Sequence, residues 1–215
     1  MIRVLSDNLG ALGQGIGTTL AITALAFVSA VLLGTVVAVF RVSPIPPLRA
    51  LGAVYVELLR NVPLLSLLIL FAYGLPYVGV RLSFFATAVI CLALVSAAFA
   101  CETVRAGING VPVGQAEAAR ALGLTFTQSL ARVILPQALR TMVQPLVNIF
   151  IGVALGSSLA AAIAVGELTY QAQQVGNRTA ESMLMFIISA VVYIVIALLG
   201  GGAGSVLERR LAVKR

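Results

Sequence analysis

The chain is 215 residues long, 60% hydrophobic and only 10% charged, with a formal net charge of +7 and no histidine. Soluble domains average about 45–50% apolar and about 25% charged residues, so the composition excludes a soluble domain and points to an all-α integral membrane protein. With seven scattered acids and two cysteines besides, histidine-based catalysis is excluded and no metal-ligand cluster or cofactor is expected.

Charge-free stretches run over 8–40, 61–80, 82–101, 141–166 and 182–207. Each reaches the roughly 18–20 residues with which a helix crosses a hydrocarbon core, so five spans are predicted. Between Arg120 and Arg132 the free run is 11 residues, too short to cross. The first span is expected over about 15–40, ending at Arg41-Val-Ser-Pro44. It lacks a basic leader and a small-residue cleavage site, so it reads as a retained span rather than a signal peptide. Pro44, Pro46 and Pro47 form a turn. The second span follows over about 53–73, kinked at Pro63, with Glu57 and Arg60 on one face as a candidate ion pair. The third runs over about 83–105 and carries Glu102 and Arg105 at its end, a second candidate pair.

A glycine- and proline-rich turn, Gly107 to Gly114, leads to a short amphipathic helix over roughly 115–122 and another over roughly 126–140. The fourth span, about 141–164, is interrupted at Gly152 and Gly156-Ser157-Ser158. An outer helix is expected over 167–180, with Glu167 as its cap or a docking point for a delivery protein, and the last span over about 182–204. Cys91 and Cys101 lie about 15 Å apart along one helix and cannot pair; they read as packing residues. No repeat or soluble domain is visible, so residues 1–215 read as one transmembrane domain.

With the N-terminus outside and the C-terminus in the cytoplasm, three inner segments (41–52, 102–140, 208–215) hold ten of the fourteen basic residues: Arg41, Arg49, Arg105, Arg120, Arg132, Arg140, Arg209, Arg210, Lys214 and Arg215. The outer segments hold Arg3, Arg81 and Arg178. Such a bias orients a chain in a bilayer; the basic charge therefore calls for no nucleic acid.

The stretch Glu117-Ala118-Ala119, then Gly123, then Val133-Ile134-Leu135-Pro136 carries the most chemistry. Its alanines make a slim helix that can enter a partner's groove, Gly123 ends that helix with a left-handed cap, and Pro136 restarts the chain toward the next one. Gln115, Glu117 and Arg120 stand at the rim. The spacing resembles the cytoplasmic loop of permease subunits of ABC importers, E-A-A, three residues, G, nine residues, I-x-L-P, with valine for isoleucine here. Glu57-Leu-Leu-Arg60-Asn61-Val62-Pro63-Leu-Leu, Cys101-Glu102-Thr-Val-Arg105-Ala-Gly107-Ile108 and Ile163-Ala-Val-Gly166-Glu167-Leu168 are similar to segments of the polar amino acid branch. The tail from Leu207 to Lys214 leans toward glutamate-type permeases.

The resemblance implies the type I ABC importer permease fold in a prokaryotic inner membrane, with the loop of about 107–136 in the cytoplasm. It implies that Gln115, Glu117, Ala118, Ala119, Arg120 and Gly123 form the coupling helix that docks into a separate ATPase. The implied complex has two permease subunits, two ATPases and an extracytoplasmic amino acid-binding protein. The chain has no nucleotide-binding loop, since its one lysine is Lys214; ATP hydrolysis must come from a partner. Asn61, Gln144, Asn148, Ser157 and Ser158 are candidates for the substrate pathway. For the serines the alternative is back-bonding or small-residue packing, and for Gln144 and Asn148 an interhelical hydrogen bond. Where these permeases carry lysine then aspartate or asparagine before the serines, this chain has Leu155 and Gly156. That departure favours a second, homologous permease subunit supplying more of the pocket. An ATPase-independent transporter or channel subunit, or an ABC permease for another small solute, is the alternative; the former would need intramembrane acids, which the charge-free windows lack.

Overall fold

The computed structural model describes residues 2–211; Lys214 and Arg215, counted among the inner basic residues, and the side chain of Arg3 lie outside what is described. All regular structure among the described residues is helical: α1 Ile2–Val42, α2 Pro46–Asn61, α3 Leu64–Val78, α4 Phe84–Asn109, α5 Val113–Ala121, α6 Phe126–Ile163, α7 Leu168–Thr179 and α8 Ser182–Leu211. Four helices, α1, α4, α6 and α8, are long and apolar enough to cross a membrane, and five cross if the bent pair α2–α3 counts as one span.

Helix α1 is 41 residues long, about 60 Å at 1.5 Å per residue, far beyond the expected 15–40. Asp7 and Asn8 interrupt the hydropathy there without stopping a helix. The extra turns have a packing role: Leu5 and Leu12 close on Leu168 and Tyr193, and Val4 and Ala11 on Ala172, Val175 and Met185. The second half of α1 lies against α4. At the crossing, a Cβ on Gly34 would stand 2.6 Å from both Ala97 O and Ala100 Cβ. Only glycine permits that approach, and close backbone contact through small residues is how helices associate where no water is present to drive them together.

The second span is not one kinked helix over 53–73. Helix α2 begins at Pro46, and α3 leaves at 102° to it. Val62 (φ −86°, ψ 127°) and Pro63 (φ −61°, ψ 124°) are both extended, because a proline pushes its predecessor out of the helical region. The break lets Leu67, Leu68 and Ala72 of α3 enter the main core with Ile22, Ala26, Cys91, Leu92, Val153 and Ile163. Tyr55 on α2 is held by donating its hydroxyl to Leu94 O at 2.7 Å.

Helix α4 begins at Ser83, whose hydroxyl accepts from Ala86 N at 3.1 Å, and it is the central helix: Thr87, Cys91, Ala97, Ala98 and Cys101 are all buried. Both cysteines are free. The two short helices expected around 115–140 become one short helix and one long one. Instead of restarting the chain, Pro136 sits inside α6, preceded by a π turn over Leu130–Ile134. A proline has no N–H and its ring crowds the carbonyl four residues back, and the wide turn accommodates that conflict without ending the helix. The same device precedes Pro76, with a π turn over Leu70–Gly74. Helix α6 ends in a tight 3-10 segment, Ser157–Ile163. Helix α8 runs down α6 on Gly200 and Gly204, where a Cβ would meet Phe150 Cε1 at 2.9 Å and Val147 Cγ2 at 2.3 Å.

Candidate functional site

The candidate residues fall in three places: α5 and the loop that frames it, the polar face of α6, and the buried cap of α7. Helix α5 starts directly after Pro112 (φ −56°, ψ 137°) and runs nine residues. Its end is a Schellman motif: Leu124 N donates to Ala119 O at 3.1 Å and Gly123 N to Arg120 O at 2.9 Å, with Gly123 at φ +77°. A side chain at that φ costs about 1–2 kcal/mol, which is the physical reason for glycine at this position. The chain then enters α6 through a capping box, Thr125 Oγ1 accepting from Gln128 N at 3.3 Å and Gln128 Oε1 from Thr125 N at 3.0 Å. Both caps fix the angle of α5 against α6, and the side chain of Gln137 donates to Gln115 Oε1 at 3.4 Å across the gap.

Of the residues assigned to coupling, Gln115, Glu117, Ala118, Arg120 and Gly123 are exposed on α5 or its cap. Ala119 is not: it is 2% exposed and faces the protein's own body. It lies two residues beyond Glu117, about 200° round the helix, so it seats α5 on the protein. The sequence reading missed three apolar side chains that stand out from this region: Val113 at 72%, Leu122 at 81% and Phe126 at 79% exposed. They flank the helix at both ends. The Thr125-x-x-Gln128 cap next to Phe126 was the available signal for the last of them.

At the neighbouring end of α4, Glu102 takes Arg105 Nη1 at 3.2 Å and also bonds Arg41 at the end of α1. The cluster thus joins two helices as well as one turn of α4. Glu57 and Arg60 form no such pair among the described residues; Arg60 instead lies over the Phe99 ring, 5.3 Å from its centroid, and Glu57 is exposed. On a helix surface the Glu57–Arg60 attraction is worth only a few tenths of a kcal/mol, less than a cation–π contact of about 0.5–1 kcal/mol. Asn61, at the end of α2, donates to Glu57 O at 2.6 Å and stays exposed.

Glu102, Thr103, Gly107, Thr141 and Pro145 line a cleft of about 340 Å³ between α4 and α6. Thr141, Pro145, Asn148 and Gly152 follow one another at helical spacing, and all are exposed, which gives α6 one continuous polar or small face. Asn148 thus stays on an open surface. Gln144 turns away and donates to Glu208 Oε2 of α8 at 2.7 Å. Ser157 is fully buried, its hydroxyl bonding Ala154 O at 2.7 Å, and Ser158 bonds Leu155 O at 2.7 Å. In both serines the hydroxyl is spent on the preceding turn. Ser157 lines none of the clefts named here, whereas Ser158 borders one between α6 and α8 together with Leu155 and Tyr193.

Glu167 is the best-buried acidic or basic side chain among the described residues, 0% exposed. It caps α7, accepting from Tyr170 N at 2.7 Å and Thr169 N at 2.9 Å, and from the Tyr193 hydroxyl of α8 at 2.6 Å. Leu168 N donates to Thr19 Oγ1 of α1 at 3.1 Å, so α1, α7 and α8 meet at one polar knot. Burial pushes the Glu167 carboxyl above its ordinary range, against the pull of its donors.

Over residues 10–213 the chain matches the family described as binding-protein-dependent transport system inner membrane component. It is 37% identical over 210 residues to the probable glutamine ABC transporter permease protein GlnM of Bacillus subtilis (strain 168), covering 98% of this chain and 97% of that one. It is 40% identical over 201 residues to the L-cystine transport system permease protein TcyB of the same organism, covering 93% and 86%. Among solved structures, that described as an amino acid ABC transporter with histidines superposes with a TM-score of 0.90 at 34% identity, covering 96% of each chain. The chain therefore belongs to the binding-protein-dependent transport system inner membrane component family, as a multi-pass inner-membrane permease subunit of an ABC importer.

Proposed function

We propose that this chain forms part of the membrane pathway for a polar or charged amino acid, with glutamine- or glutamate-like substrates favoured, and that α5 receives the ATPase. The single observation that carries the coupling role is the construction of α5: capped at both ends of its framing loop, braced on the body through Ala119, and flanked by exposed Val113, Leu122 and Phe126. Glutamine, glutamate, cystine and arginine in the names of the relatives support an amino acid as cargo.

Coupling then works as a rigid-body transfer. Closure of two ATPases pushes on α5. Because Gln115 and Gln137 tie α5 to α6, and Glu102 ties α4 to α1 through Arg41, the push moves packed spans together. The polar face of α6, Thr141–Pro145–Asn148–Gly152, faces a second permease subunit across the pathway, and a homologue is favoured over a copy because Leu155 and Gly156 supply no charge there. In this reading the N-terminus lies outside and α5 in the cytoplasm, which the distribution of arginines supports. The chain itself performs no ATP hydrolysis.

The test is uptake of radiolabelled glutamine, glutamate, arginine and cystine by cells with and without this chain. Loss of uptake of one or more, restored by the chain, supports the proposal. Unchanged uptake of all four, together with loss of transport of a non-amino-acid solute, sinks the assignment of cargo.

A further inference from the structure

A large apolar groove of about 590 Å³ runs between α1, α6 and α8, on the side of α6 opposite its polar face. Leu139, Val143 and Phe150 of α6 form its floor. Val28 and Val31 of α1 make one wall, and Ala203 and Leu207 of α8 the other. Beyond one end of the groove, Leu12 and Ile16 of α1 and Ile188 and Tyr193 of α8 pack around Leu168 of α7 in one apolar cluster. From there the groove runs along α6 from Phe150 to Leu139, with Leu207 beside its far end. The floor from Leu139 to Phe150 is about 16 Å long at 1.5 Å per residue, half of a hydrocarbon core of about 30 Å.

At the Leu139–Leu207 end the charge changes. Arg140 follows Leu139 on α6, and Arg210 lies three residues beyond Leu207 on the same side of α8. Glu208 is the one acid nearby, and it is engaged by Gln144 at 2.7 Å. We propose that this groove binds one anionic phospholipid, an acyl chain against Val143 and Ala203 and its phosphate between Arg140 and Arg210. Three observations select that occupant. The groove is apolar along one leaflet's depth. Its Leu139–Leu207 end is followed on both helices by an arginine, Arg140 and Arg210, and basic sites between spans hold anionic lipids. And it lies about half a turn around α6 from Thr141, Pro145 and Asn148, the face suited to another protein subunit.

The transporter complex, purified with its ATPase in mild detergent and stripped of lipid, is titrated by native mass spectrometry with dioleoyl phosphatidylglycerol or dioleoyl phosphatidylethanolamine. One phosphatidylglycerol per chain should be retained at concentrations at least tenfold below those needed for phosphatidylethanolamine. Ala203→Trp and, on the other wall, Val28→Trp should each abolish retention, while the double variant Arg140→Gln/Arg210→Gln should bring phosphatidylglycerol down to the ethanolamine level. Thermal unfolding of each variant identifies any that fails to fold, and the arginine pair, Arg210 exposed and Arg140 half-buried, decides the matter if both tryptophans fail. Equal retention of the two lipids, or selectivity unmoved by the arginine changes, would overturn the proposal. So would cross-linking of an Ala203→Cys variant to another polypeptide, which would mean that protein covers the groove.

Discussion

Replacing Glu167 by alanine removes the one acceptor on which three donors converge: Thr169 N, Tyr170 N and the Tyr193 hydroxyl, at 2.6–2.9 Å. A hydrogen bond to a charged group contributes about 1.5–3 kcal/mol, and leaving a buried donor without a partner costs about 1–3 kcal/mol. The losses overlap, because burying the carboxylate itself opposes folding, as the raised Glu167 pKa records. The net expectation is a loss of about 4 kcal/mol, near the upper range for single substitutions. For a chain of this size that corresponds to a fall in Tm of about 8–16 °C, read by thermal unfolding of the purified complex in detergent. Glu167→Gln keeps a carbonyl for the helix N–H groups and should lose about half as much.

The pH dependence carries a sign. A carboxyl whose folded pKa is raised contributes stability that is fully present below its ordinary value of 4.5 and is lost as pH rises through the folded value. Wild type should therefore gain on Glu167→Gln as pH falls from 7 toward 4.5. A Tm for Glu167→Ala within about 2 °C of wild type, or a wild-type advantage that shrinks on acidification, would refute the reasoning.

Gly34→Val should cost about 1–3 kcal/mol by forcing α1 from α4, since even a bare Cβ would stand 2.6 Å from Ala97 O; thermal unfolding checks it, and a neutral result would mean the crossing is looser than described. Gly123→Ala should cost about 1–2 kcal/mol locally at the α5 cap and lower uptake with the protein still in the membrane, whereas Gly123→Asn, which tolerates the left-handed region, should retain most of it. Leu122→Ala with Phe126→Ala should weaken recovery of the ATPase without lowering Tm, because both side chains are about four-fifths exposed and contribute little to the fold.

Much of this was legible in the chain. Hydropathy located α4 and α8, and the fixed spacing from Glu117 to Pro136 located α5 and its glycine cap. The Glu167 cap could be read from its position before Leu168. What escaped lay where side-chain counting does not see the backbone. Pro63 predicts a kink, but a 102° break needs Val62 extended as well, and the resulting α2–α3 geometry follows from what α3 can bury. Pro136 looked like a helix start because a π turn that absorbs a proline leaves no composition signal. The pathway candidates divided for a similar reason. Serine, glutamine and asparagine mark polarity along a span, yet Ser157 spends its hydroxyl on Ala154 O and Gln144 on Glu208, and only the packing tells which polar groups remain on the open face of α6. Ala119 shows the same limit at one-residue scale: the motif selects alanines, and the fold decides that one of them faces inward.

The central claim, that α5 is where this permease takes its energy from an ATPase, is tested most directly by recovering the complex from native membranes with wild-type chain and with Glu117→Lys. Glu117 is exposed on α5, so its reversal leaves the fold intact. The account predicts that an ATPase accompanies the wild-type chain and is lost, along with uptake, from the Glu117→Lys chain at equal membrane abundance. Equal recovery of the ATPase with both chains and undiminished uptake would contradict it.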